Sequence, residues 1–397
     1  MATPLKGNAV IGQSGGPTAV INQSLVGVIE GLRGKPGVTR ILGARHAVSG
    51  IVKNDFIDLT DFSEDRLNTL ANTPSAGLGS SRDKPDTAYC EQIFDVFKKQ
   101  NVRYFFYIGG NDSSDTCRIV NEMAKEQNYE LHAFHCPKTI DNDLVRNDHT
   151  PGFGSAAKFV AQAFMGDNLD NAALPGIKIN IIMGRHAGFL TAAAMLGRRS
   201  PEDGPHLIYV PEVAFSEDKF LADVDRVFTK QGRCLISVSE GIHDSEGNPL
   251  IIKLAEDVEK DAHGNVQLSG TGALGDLLSN LIKDKLGAKR VRADTFGYLQ
   301  RSFCGVVSEA DAREARASGH KAAQLATSGD TDGSIALVRT SNDPYTIDYQ
   351  RIELTDVAAK TKTLDPTYIV DGSDIAESYR DYLSPIVGPL PKIETLL

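Results

Sequence analysis

Apolar positions along this chain come in short runs that stop at glycine. Residues 8–12 (Asn-Ala-Val-Ile-Gly) and 102–108 (Val-Arg-Tyr-Phe-Phe-Tyr-Ile) have the β-branched and aromatic density of buried strands. The first empties into Gln13-Ser14-Gly15-Gly16 and the second into Gly109-Gly110-Asn111-Asp112-Ser113. Behind each turn the apolar residues fall on one helix face: Ala19, Val20, Leu25, Val26 and Ile29, then Cys117, Ile119, Val120 and Met123. Pro17 falls where a first helical residue would be, a position at which its missing N–H is no loss. Residues 86–100 carry Tyr89, Ile93, Phe94, Val96 and Phe97, an amphipathic helix leading into the second strand. Residues 131–136 read as a further strand and run into Pro137-Lys138-Thr139-Ile140-Asp141-Asn142-Asp143. Between 39 and 82 the pattern is irregular and ends in Gly77-Leu78-Gly79-Ser80-Ser81-Arg82.

The segment 150–155 (Thr-Pro-Gly-Phe-Gly-Ser) marks the crossing into a second domain and a helix through 169. Strands follow at 176–182, 207–210, 233–238 and 290–296. The first stops at Met183-Gly184-Arg185-His186-Ala187-Gly188, with an alanine-rich helix behind it. The third stops at Ser239-Glu240-Gly241, and the last at Gly297-Tyr298-Leu299-Gln300-Arg301-Ser302. Ser216 with Glu217 and Asp218 starts a helix in the favoured way, and further helices cover 272–286 and 308–328. Strands near 334–339 and 346–352 close the pattern without visible chemistry. The alternation predicts an α/β fold with a parallel sheet, covered on both faces, in each domain.

Composition narrows the function. A chain of 397 residues is too long for one ordinary core and suits two α/β domains. A net charge of −10 argues against a nucleic-acid partner, so any small anionic ligand needs a locally positive site. The five cysteines (90, 117, 136, 234 and 304) are scattered without a CxxC pair, the usage of reduced thiols in a cytoplasmic protein. No signal peptide is recognisable, and no apolar stretch approaches the roughly 18 residues of a membrane span.

A strand feeding a helix through two glycines aims backbone N–H groups and a helix N-terminus into one space, which suits an anion. The carboxylates beside Gly109-Gly110 repel phosphate unless a cation such as Mg²⁺ or Lys lies between them. Lys138 can bind phosphate, and Asp141 or Asp143 can take a proton or hold Mg²⁺ through water. They follow a strand's C-terminal end, where open parallel sheets gather ligands. Arg82 becomes a phosphate ligand only if its loop faces the glycine turns. Taken singly, each stretch is also readable as a capped turn or a solvated loop. The nine histidines show no metal-ligand spacing.

GGPT (15–18), GLGSSR (77–82), GGNDS (109–113), PKTIDND (137–143), MGRHAG (183–188), SEG (239–241) and GYLQRS (297–302) occur in one order. Together they resemble the phosphofructokinase family over residues 8–328, and within it the pyrophosphate-dependent branch. The resemblance implies two similar doubly wound parallel-sheet domains with the active site in the cleft between them. Residues 1–150 with about 301–397 would form the pyrophosphate domain and 151–300 the fructose 6-phosphate domain. The implied reaction is reversible phosphoryl transfer from pyrophosphate to the 1-hydroxyl of fructose 6-phosphate. Asp141 matches the catalytic base, with Thr139 beside the transferred group and Lys138, Arg82 and Arg185 stabilising its oxygens. Gly15, Gly16, Gly110 and Ser113 match the donor site. Ile140, Met183, Gly184, Arg185 and Glu240 match sugar contacts, and Tyr298 and Arg301 the 6-phosphate ligands. Arg292 fits an arginine donated by a neighbouring subunit, which implies a homodimer or homotetramer with shared sites.

Two departures stand out. The family's usual magnesium ligand is the Asp of a GGD turn, and Asn111 stands there: the resemblance carries the metal role to Asn111, whose amide oxygen can coordinate Mg²⁺ without a carboxylate's charge, so that Asp112 or Asp143 carries more of the task. ATP-using relatives have glycine at the positions of Asp112 and Lys138. A carboxylate would repel an α-phosphate, and an added ammonium offsets the missing nucleoside, so both point to pyrophosphate and include Asp112 in the catalytic set. The alternatives are an ATP-dependent 6-phosphofructokinase and a non-catalytic sugar-phosphate sensor on the same fold. A dinucleotide-dependent oxidoreductase lacks its G-x-G-x-x-G and distant acid.

Overall fold

The computed structural model describes residues 5–254 and 272–396. In chain order the elements are β1 (Gly7–Gln13), α1 (Ile21–Leu32), β2 (Val38–Ala44), α2 (Ala47–Val52), β3 (Phe56–Asp58), α3 (Glu64–Ala71) and α4 (Thr87–Lys99). Then come β4 (Val102–Gly109), α5 (Asn111–Glu126), β5 (His132–Pro137), α6 (Phe153–Ala173), β6 (Ile177–Ile182), α7 (Phe189–Ala192), β7 (Leu207–Tyr209) and α8 (Glu217–Gln231). The chain closes with β8 (Cys234–Ser239), α9 (Ala273–Leu286), β9 (Val291–Thr295), α10 (Glu309–Ser328), β10 (Asp332–Asn342), β11 (Tyr345–Ile352), α11 (Leu354–Val357) and α12 (Ser378–Val387).

Two compact units result: Met1–Phe153 with Arg301–Lys362, and Gly154–Gln300 with Thr363–Leu397. In the first, seven strands run in the order β11-β10-β5-β4-β1-β2-β3. The five inner strands are parallel, and β3 and β11 are antiparallel edges. The chain leaves β1 toward β2 on one side and resumes at β4 on the other, which makes the β1–β4 boundary a topological switch point. Register then decides what meets there. Gln13 pairs with Ile108, and Gly109 with Pro137, so three turns leave the sheet side by side. One face is buried by Leu25, Val28 and Ile29 of α1, Leu67 of α3 and Ala322 and Ala326 of α10; the other by Phe94 and Phe97 of α4 and Val120 of α5.

The second unit has a parallel sheet in the order β7-β8-β6-β9, buried by Phe220 and Val224 of α8 and Leu278 and Ile282 of α9. Ser216 caps α8 through its hydroxyl, which accepts the Lys219 N–H at 3.3 Å. Among the described residues no helix is long and apolar enough to cross a membrane.

Four local expectations are corrected. Residues 363–397, expected with the first domain, group with the second unit. Tyr379, Leu383, Ile386 and Val387 of α12 are fully buried, and the Tyr379 hydroxyl donates to the Phe189 carbonyl at 2.8 Å. Pro17 is not the first residue of α1: the Thr18 carbonyl accepts the Ser75 N–H (3.0 Å) and its hydroxyl the Val20 N–H (3.3 Å), so 17–20 form a turn. The stretch 39–82 holds β2, α2, β3 and α3, each too short to print a period. The alanine-rich segment after Gly188 is only α7 and a 3₁₀ stretch, Ala193–Gly197.

Candidate active site

The three adjacent turns of the first unit carry most of the expected donor residues. Gly15 sits at φ 76°, a left-handed conformation that a β-carbon would strain. Its N–H donates to the Ser81 carbonyl (2.9 Å) and its carbonyl accepts the Ser80 hydroxyl (2.6 Å), so the loop ending in Arg82 does face a glycine turn. A β-carbon on Gly16 would lie 3.0 Å from the guanidinium carbon of Arg301, and one on Gly15 3.3 Å from Lys138 Nζ. Lys138, 3% exposed, donates from Nζ to the Gly16 carbonyl at 2.6 Å. Burial first, and then Arg301, bring its pKa down to about 8; Asp141 and Asp143 oppose that and Arg82 adds to it. Positive charge gathered beside Lys138 in this way suits an anion.

The turn after β4 is braced from behind. The Gly109 carbonyl accepts the Lys138 N–H and His135 Nε2–H, both at 2.9 Å, and His135 Nδ1 meets the Ser334 hydroxyl at 2.8 Å. Burial takes the His135 pKa to about 4. The imidazole is therefore neutral, with its proton on Nε2 because a carbonyl only accepts. Gly110 is the N-cap of α5 and no side chain caps it, which removes the capping role open to Ser113. Ser113 instead packs on Gly109, where a β-carbon would lie 2.0 Å from its oxygen. Asp112 is exposed in the first turn of α5, 3.1 Å from Lys84 Nζ. Asn111 Oδ1 is buried without a hydrogen-bond partner, while its Nδ2 lies 3.2 Å from Asp143 Oδ2.

The loop after β5 is tied by its own backbone. The Thr139 N–H donates to the Pro151 carbonyl (3.2 Å), the Thr150 hydroxyl to the Thr139 carbonyl (2.9 Å), and the Asp141 N–H to Thr139 Oγ1 (3.1 Å). Ile140 is buried, and Asn142 stands at φ 58° between the two aspartates. Burial, and next the charge of Asp141, hold the Asp143 carboxyl well above the ordinary carboxylate range.

In the second unit, Ile182 pairs with Ser239 and Ile181 with Thr295, which sets the turns after β6, β8 and β9 at one sheet end. Gly184 is at φ 149°, and a β-carbon there would lie 2.6 Å from the Ala187 carbonyl. The Ser239 hydroxyl donates to the Gly184 carbonyl (2.5 Å), Met183 N–H to Gln300 Oε1 (3.3 Å) and Glu240 N–H to the Ile182 carbonyl (2.8 Å). Met183, Gly184, Arg185 and Glu240 are thereby assembled. Tyr298 is exposed in the short helical turn after β9, and Arg301, which ends that turn, begins the return to the first unit and lies against Gly16. Arg292 is exposed on the edge strand β9.

Sequence reasoning missed Lys84, His135 and Glu212. Glu212 Oε1 accepts the N–H groups of Gly188 (2.8 Å) and Leu364 (2.7 Å), which anchors the MGRHAG turn. An acid directly after a buried strand, Pro211-Glu212, was the available signal.

Residues 8–326 match the family described as Phosphofructokinase. The chain is 57% identical over 384 residues to a pyrophosphate–fructose 6-phosphate 1-phosphotransferase of Rhodospirillum rubrum, covering 96% of this chain and 95% of that one. It is 37% identical over 392 residues to a protein of the same name from Halomonas elongata, covering 96% and 91%. Its structure is similar to that of a pyrophosphate-dependent phosphofructokinase from Marinobacter aquaeolei, with TM-score 0.86, 32% identity and coverage of 98% and 94%.

Proposed function

The chain belongs to the phosphofructokinase family, and we propose that it transfers a phosphoryl group from pyrophosphate to the 1-hydroxyl of fructose 6-phosphate. The products are fructose 1,6-bisphosphate and phosphate, and the step is reversible. The observation that carries the donor assignment is Lys138, buried on the Gly15–Gly16 turn against Arg301. That concentration of charge suits a small anion that brings no nucleoside. Asp112, held by Lys84 at the first turn of α5, sets a carboxylate and an ion pair beside Gly110, which disfavours an α-phosphate there.

Asp141 takes the proton of the 1-hydroxyl as that oxygen bonds to phosphorus. The bridging P–O bond breaks, and its electron pair leaves with the departing phosphate. Lys138, Arg82 and Arg185 hold the charge on the phosphoryl oxygens, the largest contribution in this reaction class. Thr139 orients Asp141 through its amide. Gly15, Gly16, Gly110 and Ser113 line the donor. Ile140, Met183, Gly184, Arg185 and Glu240 hold the sugar, and Tyr298, Arg301 and Arg292 its 6-phosphate.

The buried, unpartnered oxygen of Asn111, whose Nδ2 lies 3.2 Å from Asp143 Oδ2, fits Mg²⁺, and among the described residues no cluster of three or more His, Cys, Asp or Glu could hold a metal by itself. Asn111 and Asp143 would hold it together with the donor's oxygens, and the ion would neutralise phosphate charge. Exposure of Arg292 on an edge strand supports a homo-oligomer in which it serves a neighbouring copy. We place the enzyme in the cytoplasm.

Steady-state turnover of fructose 6-phosphate with pyrophosphate and with ATP tests the reading. Pyrophosphate alone should support it, and Asp141→Asn should lower turnover by roughly 10²- to 10⁴-fold. Comparable turnover with ATP would overturn the donor assignment.

A further inference from the structure

We propose that Lys362 is a positioning residue for the loop carrying Asp141 and Asp143, an inference that rests on the reading of Asp141 as the base. Lys362 lies in the C-terminal part of the first unit, in a segment with no recognisable motif. It grips the loop twice. Its backbone N–H donates to the Asp143 carbonyl at 2.7 Å, next to a bridge between Thr361 and Leu144. Its ammonium reaches forward to the carbonyls of Asn147 (2.7 Å) and Asp148 (2.8 Å). One residue thus fixes both ends of a six-residue stretch.

The loop from Asn142 to Asp148 needs holding. Asn142 and Arg146 both stand at positive φ, 58° and 65°, without being glycine, and such residues persist only where the surroundings over-determine them. Asn147 adds a third tie, its Oδ1 accepting the Leu337 N–H at 3.0 Å, and the Asp148 N–H donates to the Leu337 carbonyl at 2.8 Å. Leu144 is fully buried and anchors the loop in the unit. Lys362 joins the half beside Asp143 to the half beside Asp148. Loosening it lets Asp141 drift relative to Lys138, and a displacement near 1 Å costs about 10²-fold in rate.

A double-mutant cycle of Lys362→Met and Asp141→Asn, assayed with pyrophosphate and fructose 6-phosphate, tests this alongside amide hydrogen exchange over residues 139–149. Lys362→Met should lower kcat about 100-fold with the KM for fructose 6-phosphate within about threefold, and should speed exchange in that segment. In the Asp141→Asn background it should cost no more than about threefold, because the base it positions is gone. Equal losses in both backgrounds, or unchanged kcat and exchange, would overturn the proposal. If Lys362→Met does not fold, Lys362→Arg replaces it: it keeps the cation but not one nitrogen seated between two carbonyls. A reduced kcat with the same coupling to Asp141 supports positioning, and wild-type kcat assigns Lys362 to stability alone. If Asp141→Asn keeps its turnover, the base reading fails, and kcat with exchange in Lys362→Met still decides whether the loop is held for catalysis.

Discussion

Replacing Lys138 by methionine is expected to make the free protein more stable while removing most of its activity, and the two effects can be sized separately. Burial and Arg301 lower the lysine from an ordinary 10.5 to about 8, a penalty of about 3 kcal/mol on the charged form. Because the folded pKa lies below the unfolded one, the unfolded chain binds more protons between pH 8 and 10.5. The penalty is therefore complete below pH 8 and is relieved as pH rises toward 10.5. Methionine removes it at nearly the same length. It also forfeits the bond to the Gly16 carbonyl, worth roughly 1.5–3 kcal/mol for a charged donor. The balance is a stabilisation of about 1 kcal/mol at pH 7, or a rise of a few degrees in melting temperature. Activity moves the other way: losing one charge contact to the transferring phosphoryl group costs roughly 3–4 kcal/mol, or 10²- to 10³-fold in turnover.

Two assays settle it. Thermal melting of both proteins without substrate, at pH 7 and pH 10, should favour the variant at pH 7 and bring the parent level or ahead at pH 10. Steady-state kinetics should show kcat/KM for pyrophosphate in the parent falling above about pH 8 as Lys138 loses its proton, a limb absent from the variant. A variant that melts well below the parent at pH 7 and keeps kcat/KM for pyrophosphate within tenfold would refute the picture of Lys138 as a buried cation that serves the donor at a cost to stability.

Asp112→Gly should admit weak turnover with ATP and leave pyrophosphate use intact, since Lys138 still holds that donor; no gain with ATP would clear Asp112 of any part in donor choice. Arg292→Ala should raise the KM for fructose 6-phosphate several-fold, and sedimentation of the parent at assay concentration should show at least a dimer, so a fully active monomer would remove the shared-site role. The His135 pKa near 4 lies below its ordinary 6.5, so the stability it contributes is complete above 6.5 and is lost as pH falls toward 4, about 3 kcal/mol in all. Ring-proton NMR should find no titration of His135 above about pH 5.

What was legible in the sequence follows from how locally it is encoded. Strand, glycine and helix face occur within some twenty residues, so β1 with Gly15–Gly16, β4 with Gly109–Gly110 and β6 with Gly184 could be read directly. Their meeting could be read only as an implication of motif order. What sets the first three turns side by side is register, Gln13 against Ile108 and Gly109 against Pro137, and that depends on pairs 95 and 28 residues apart, beyond the reach of a local pattern. The C-terminal 35 residues were misplaced for a related reason: the apolar face of α12 has a helical period, but a period does not say which core it covers. Lys84, Glu212, His135 and Lys362 act through backbone carbonyls, amides or a single distant carboxylate, and such partners leave no trace in spacing.

A single constraint relates these features. Pyrophosphate brings no adenosine to be buried, so affinity has to come from charge, and charge is stable in a buried site only when its partner is present. The first unit meets that by surrounding like charges with neutral or rigid supports. His135 braces the glycine turn as an uncharged donor, where a protonated ring would be repelled by Lys138. Asn111 stands where a third carboxylate would crowd Asp141 and Asp143, whose own proximity already raises Asp143. Lys362 holds the loop through the carbonyls of Asn147 and Asp148, and its ammonium partly offsets the repulsion between Asp141 and Asp143. Affinity for a small polyanionic donor and the lowered pKa of Lys138 therefore have the same physical origin, whereas exclusion of ATP is set separately by Asp112, so replacing Lys138 should weaken pyrophosphate use without admitting ATP.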